Sequence, residues 1–232
     1  MTNFTHQKNS NLRKYFPLII FIVNLYFFNI SAFAQPLPSE INLSEQSPDS
    51  FLVSFVTTKG EFIMKAHRDW SPLACDRLYL LVKNGFYNGC VIYRVGPTLS
   101  FKGGFIVQFG MTNDEKLNKA WEKATLKDEP VKHPHKRGSV NFASGGPNTR
   151  TVQLAIALTP CTELDTVSYQ GSIGFPTFAE VVEGIEIVDS FNRQYGNSVF
   201  EPEDSLYIGD KYFNRVFPGL DRILTAKIIN KW

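Results

Sequence analysis

The chain has 232 residues, 43% hydrophobic and 20% charged, so it can bury the core of one ordinary domain. The net charge is +2, but Lys8, Arg13 and Lys14 all lie in an acid-free leader. Beyond Ala34 there are 21 bases against 22 acids, which excludes an electrostatic case for nucleic acid or an anionic membrane surface.

The leader comes first in chain order. Lys8, Arg13 and Lys14 form a basic region, Phe16 to Phe28 is apolar with Pro17 and Asn24 interrupting it, and Ala32-Phe33-Ala34 is a small-x-small cleavage site. This predicts a signal peptide over 1–34, and a mature protein in the periplasm or outside the cell with no membrane contact after cleavage. The alternative is an uncleaved N-terminal membrane anchor, for which the run is short. Residues 35–50 are rich in Pro, Ser, Glu and Asn and read as a linker, leaving 51–232 as one domain.

Within that domain, Leu52–Thr58 and Glu61–Ala66 predict a hairpin turning at Lys59-Gly60. Ser71-Pro72 predicts an N-cap with proline at the first helical position, and Asn84-Gly85 a stop. Strands follow over Gly89–Val95 and Phe105–Phe109. Lys116–Asp128 is polar, a short helix or a loop. Ser139–Ala143, Leu154–Leu158 and Thr177–Val182 predict further strands, Gly184–Phe191 a second helix, and Leu224–Ile229 a closing strand. Many short strands with two clear helices predict a mainly β fold: a closed eight-stranded antiparallel barrel capped by two α-helices.

The remaining chemistry is sparse. Cys75, Cys90 and Cys161 fit no metal spacing, and their odd number leaves at least one thiol unpaired. His133-Pro134-His135 lacks an acidic or cysteine ligand at suitable spacing, so no metal is expected. No histidine accompanies a serine or cysteine in a hydrolase motif. Gly103-Gly104 is not a phosphate loop.

Several stretches occur in a telling order: Phe51 to Phe62, Leu81 to Gly89, Ile92-Tyr93-Arg94-Val95, Phe105 to Gly110, Lys136 to Ala143, Gly146-Pro147-Asn148-Thr149, Phe178 to Asp189 and Phe217 to Ile228. Together they resemble a cyclophilin-type peptidyl-prolyl isomerase of bacterial kind, over nearly the whole chain beyond the leader. The resemblance implies rotation about Xaa-Pro bonds without a cofactor, and proline-containing unfolded or flexible polypeptide segments as partners of a monomer. Arg94 matches the catalytic arginine. Gln108 and Gln153 match binding residues, and Phe105, Ile106, Ala155 and Leu164 match the lining of the proline pocket. Ala143 and Ser144 match the edge that pairs with the substrate backbone, through main-chain groups.

The chain also departs from the family pattern. Ala155 stands where a phenylalanine usually floors the pocket, Glu163 where many members carry a tryptophan, and Phe175 falls nearest the position of a usual histidine. Gly96 to Lys102 is an insertion, a candidate lip over the site. A large aromatic surface is lost at Ala155, and Phe175 is a candidate to refill the space. These departures leave open a second reading, a binding module or chaperone for proline segments with little catalysis.

Overall fold

The computed structural model describes residues 35–99, 102–200 and 203–232. The leader with its cleavage site lies outside the described residues. Ten strands are present: β1 (Ser50–Thr57), β2 (Gly60–His67), β3 (Val91–Pro97), β4 (Phe105–Met111), β5 (Ser139–Phe142), β6 (Leu154–Ala157), β7 (Ser168–Tyr169), β8 (Ser172–Ile173), β9 (Thr177–Glu183) and β10 (Ile223–Lys231). The helices are α1 (Pro72–Lys83), α2 (Glu115–Glu122), α3 (Ile185–Asp189) and α4 (Asp210–Val216).

Eight strands form one antiparallel sheet in the order β10-β1-β2-β9-β5-β6-β4-β3, and β7-β8 is a separate hairpin. The sheet curls around a core rich in phenylalanine. Phe55 and Phe62 stack at 5.0 Å, as do Phe142 and Phe178, and all four are fully buried. Such rings each remove a large apolar area from water and prefer offset or edge contacts, which Phe55 makes with Phe109.

Two expectations change. The barrel is not closed by a continuous ladder. The edge strands β3 and β10 meet only at one end, where Ile92 N–H donates to Asp221 O and Ile223 N–H to Cys90 O around the single bridge Val91–Arg222. There are also four helices among the described residues rather than two. Helix α2 forms because Asp114 caps it, its carboxylate accepting from the Lys116 and Leu117 N–H groups. Helix α4 belongs to an arm between α3 and β10 that carries its own apolar cluster. Val199, Leu206, Tyr212, Phe213 and Phe217 pack there against Val91, Tyr93 and Met111. Ile92, Val95, Val107 and Phe109 face the main core instead, so β3 and β4 are covered on both sides.

The segment read as a linker lies against the domain. Gln35 Nε2 donates to Gly85 O at 2.6 Å, Leu37 and Ile41 pack on the core, and the Asp76 carboxylate accepts from both the N–H and the hydroxyl of Ser47. The start of α1 also differs in detail. Ser71 is the N-cap residue, but its side chain makes no capping bond. Glu129, distant in sequence, accepts from the N–H groups of Leu73 and Ala74 and from the Ser71 hydroxyl. All three cysteines are free and buried.

Candidate active site

The site begins with a defect in β3. The β3–β4 register shifts between Val91 and Ile92 and again between Ile92 and Arg94. A bulge of this kind re-aims side chains, and here it turns Tyr93 and Arg94 to the same side. Tyr93 Oη donates to Gln153 Oε1 at 2.5 Å, while Arg94 Nη1 donates to Gln108 Oε1 at 2.9 Å. Gln108 Nε2 in turn donates to Gln153 Oε1 at 3.1 Å. Residues paired across antiparallel strands share a face. Arg94 pairs with Gln108, Gln108 with Ala155, and Ala155 with Asn141. One row therefore crosses four strands: arginine, glutamine, a small apolar step and an amide.

Gln153 is placed by the loop that precedes β6. Gly110 has φ +128, and a Cβ there would meet Val152 O at 2.6 Å and Gln153 Cα at 2.8 Å. Only glycine lets the loop backbone lie this close to β4. Asn148 adopts φ +56, a left-handed value that asparagine tolerates, and exchanges hydrogen bonds with Asp128. Arg150 is buried and ties the loop to the 127–129 stretch through Lys127 O and Glu129. The loop is thus stapled at both ends before it presents Gln153.

Arg94 is only 5% exposed. Besides Gln108, its Nε donates to Asn197 Oδ1 at 2.7 Å and its Nη2 to Pro97 O at 2.7 Å. The Phe200 ring lies 5.0 Å from its guanidinium carbon. Burial lowers its pKa from the ordinary guanidinium value, and Tyr93 and Tyr169 partly oppose the shift. A guanidinium has five N–H donors and does not deprotonate at neutral pH. Three are engaged, so among the described residues Arg94 is a fixed cation with two donors left for a ligand.

Beside the row lies a cleft of about 470 Å³. Of the residues expected from sequence, Arg94, Ile106, Gln108, Ala143, Ser144, Gln153, Ala155, Leu164 and Phe175 all line it. Phe105 does not. Strand alternation turns it from the face of Ile106 and Gln108, and it packs against the main core beneath the Arg193 guanidinium. Phe175 is buried with Ala157, Cys161 and Leu164 and contacts the Tyr169 ring at 6.1 Å. It forms a wall, while the space beside Ala155 stays part of the open cleft. Glu163 is exposed and lies outside the lining. Ala143 N–H donates to Gln153 O, and the Ser144 hydroxyl folds back onto Gly146 O.

Other lining residues were not anticipated. Asn141 sits between Val140 and Phe142 just as Gln108 sits between Val107 and Phe109, so an inward amide in an apolar strand was a readable signal. Its Oδ1 lies 3.3 Å from the buried His135, whose Nδ1 is 2.6 Å from Asp165. His133, two residues earlier, stacks instead on Trp70, so the two histidines serve separate contacts. Thr98 and Leu99 line the cleft from the start of the inserted stretch, and Phe200 and Tyr207 line it from the C-terminal arm. No local pattern marks the last two, because tertiary packing of the arm puts them there.

The family model for cyclophilin type peptidyl-prolyl cis-trans isomerases matches residues 52–209. The chain belongs to the cyclophilin-type peptidyl-prolyl cis-trans isomerase family. A peptidyl-prolyl cis-trans isomerase of Arabidopsis thaliana is 32% identical over 156 residues, covering 62% of this chain but only 30% of the relative's length. Peptidyl-prolyl cis-trans isomerase-like 3 of Homo sapiens is 27% identical over 163 residues, 68% of this chain and 92% of the relative. A cyclophilin type isomerase of Cryptosporidium parvum shares the fold with TM-score 0.53 at 18% identity, over 79% of this chain and 99% of that one. The same holds for its structure in the presence of the dipeptide Ala-Pro, with TM-score 0.52 at 17% identity, over 78% and 99% of the two chains. The cleft has apolar walls at Ile106, Leu164 and Phe175 and a fixed cation at its edge.

Proposed function

We propose that this cyclophilin-family chain catalyses cis-trans rotation of Xaa-Pro bonds in unfolded or flexible polypeptides, with Arg94 as the catalytic residue. The barrier to be lowered is about 18–20 kcal/mol and comes from amide resonance. No bond is broken. In the twisted state the prolyl nitrogen regains a lone pair, which can accept a hydrogen bond that the planar ground state does not offer. A donor fixed at that nitrogen binds the twisted state better than the planar one and so accelerates rotation. The observation that carries this reading is the fixed Arg94 fork, with two donors uncommitted among the described residues, beside a cleft with apolar walls at Ile106, Ala155, Leu164 and Phe175.

The supporting residues divide the remaining work. Gln108 holds Arg94 and is itself braced by Gln153, and this amide pair can reach a substrate carbonyl. Ile106, Ala155, Leu164 and Phe175 receive the ring. Ala143 and Ser144 form the edge against which substrate backbone lies. The chain acts as a monomer, without a cofactor, on exported proteins after cleavage following Ala34. Cell fractionation, with N-terminal sequencing of the soluble product, checks the export arm: a protein retained in the membrane with its leader intact overturns it.

The decisive assay is isomerisation of an Ala-Pro peptide by the chain from Gln35 onward and by its Arg94→Ala variant. The expected loss in kcat/KM is roughly 100-fold or more, the range for removing one transition-state donor. Equal rates from both proteins, at the uncatalysed level, select the binding-module reading instead. That reading is favoured by one observation, the open space beside Ala155.

A further inference from the structure

The cleft continues past Arg94. Outside the β-sheet row its lining includes Leu99 from the turn after β3, Phe200 and Tyr207 from the C-terminal arm, and Glu122 and Thr125 at the end of α2. Adjacent strands lie about 4.8 Å apart, so the row from Asn141 on β5 to Arg94 on β3 spans roughly 14 Å, or about four extended residues. A proline seated midway, between Ile106 and Ala155, therefore has one neighbour toward the Ala143–Ser144 edge and the other toward this aromatic end.

The aromatic end is built rather than incidental. Phe200 covers the Arg94 guanidinium at 5.0 Å and meets the Tyr93 ring edge-on at 6.3 Å. The preceding residue, Val199, is fully buried in the arm's cluster. The Tyr195 hydroxyl donates to Pro218 O and its ring packs on Phe217. Gly96 lets the turn approach β3, since a Cβ there would stand 3.2 Å from the Gly196 Cα. Leu99 is 58% exposed, an apolar side chain held at the cleft mouth with much of its surface in water.

We propose that Leu99, Phe200 and Tyr207 form a subsite for an aromatic or large aliphatic side chain flanking the substrate proline, on the side away from the Ala143–Ser144 edge. The inference rests on the prolyl-isomerase reading and adds its sequence preference. An apolar side chain there covers Leu99 and Phe200 and excludes water from Arg94. A basic one meets the Arg94 guanidinium on one side of the cleft and the Glu122 carboxylate on its lining. An acidic one pairs with the two uncommitted donors and withdraws them from the prolyl nitrogen.

The test is a set of Xaa-Pro-Yaa peptides in which one flank at a time is Ala, Leu, Phe, Lys or Glu. Rates come from exchange NMR and dissociation constants from titration. The wild type is expected to favour Phe and Leu over Ala at one flank only, by about tenfold in kcat/KM, the scale of a single apolar pocket contact. Phe200→Ala is expected to bring that ratio near one, chiefly through KM, and Phe200→Leu to restore part of it. A wild type indifferent to the flank overturns the subsite and leaves the isomerase reading standing. An equal loss on every peptide in Phe200→Ala also overturns it, because Phe200 then serves Arg94 alone. If Phe200→Ala does not fold, Phe200→Leu and the wild-type preference decide. Apolar-flank preference in binding without turnover supports the subsite and removes the isomerase reading.

Discussion

At the residue scale, the site depends on how Arg94 is held. Its Nε, Nη1 and Nη2 reach three separate parts of the chain: the arm at Asn197, β4 at Gln108 and the end of β3 at Pro97. A long side chain so constrained has little rotamer entropy left to lose when a substrate binds. The support from Asn197 depends on a close approach between Gly96 and the arm. A methyl at Gly96 would stand 3.2 Å from Asn197 Oδ1 and 3.3 Å from the Gly196 carbonyl carbon, so arm or strand must give. Gly96→Ala is therefore expected to lower kcat about tenfold, the effect of misplacing a catalytic donor by a fraction of an ångström, with the far-UV spectrum unchanged. Asn197→Ala should do the same, and the double variant should cost no more than either alone, since both remove one bond. Additive losses would show that Gly96 and Asn197 act on different things.

At the element scale, the capping of α1 separates what local sequence carries from what it does not. Proline at the first helical position and the stop at Asn84-Gly85 are local, and the helix runs from Pro72 to Lys83 as they predict. The cap is not local. The Glu129 carboxylate takes the orphan N–H groups at the helix start and also accepts from the buried Arg150, which staples the Gly-Pro-Asn loop. The barrel strands and the Arg94–Gln108 pairing were legible because alternation and turn chemistry are short-range. The bulge, the arm and the role of Glu129 were not, because register shifts and long-range packing leave no periodic trace. A resemblance of motifs does not say which face a strand residue takes, and Phe105 packs against the main core. Glu129→Ala is expected to destabilise the fold by about 2–4 kcal/mol, combining a lost cap with a buried arginine left without its carboxylate. Equilibrium urea unfolding measures it. A loss under about 0.5 kcal/mol, the usual size for a surface substitution, would mean that water replaces the carboxylate at both sites.

At the scale of the whole molecule, the curled sheet and the arm seal several ionisable groups away from water, and this sets an alkaline limit to stability. Burial pushes the Cys75 and Cys90 thiols well above the ordinary 9.0, and pushes Tyr87 and Tyr93 above 10.0. In each case the folded-state pKa exceeds the unfolded one. The contribution is intact below the unfolded value and is lost as pH rises, because only the unfolded chain releases the proton. Each thiol costs up to about 1.4 kcal/mol per pH unit once pH passes 9, so the two together remove about 3 kcal/mol between pH 7 and pH 10. Above that the tyrosines add to the slope. Arg77, lowered to about 10 by burial, has the opposite sign there, since the unfolded chain then holds the extra proton. The interval from about pH 8 to 9.5 is therefore dominated by the thiols. Urea unfolding under reducing conditions is expected to show the midpoint falling across that interval, and the Cys75→Ala/Cys90→Ala double variant is expected to lose most of this dependence. An equally steep fall in the double variant would assign the alkaline limit to groups other than the thiols.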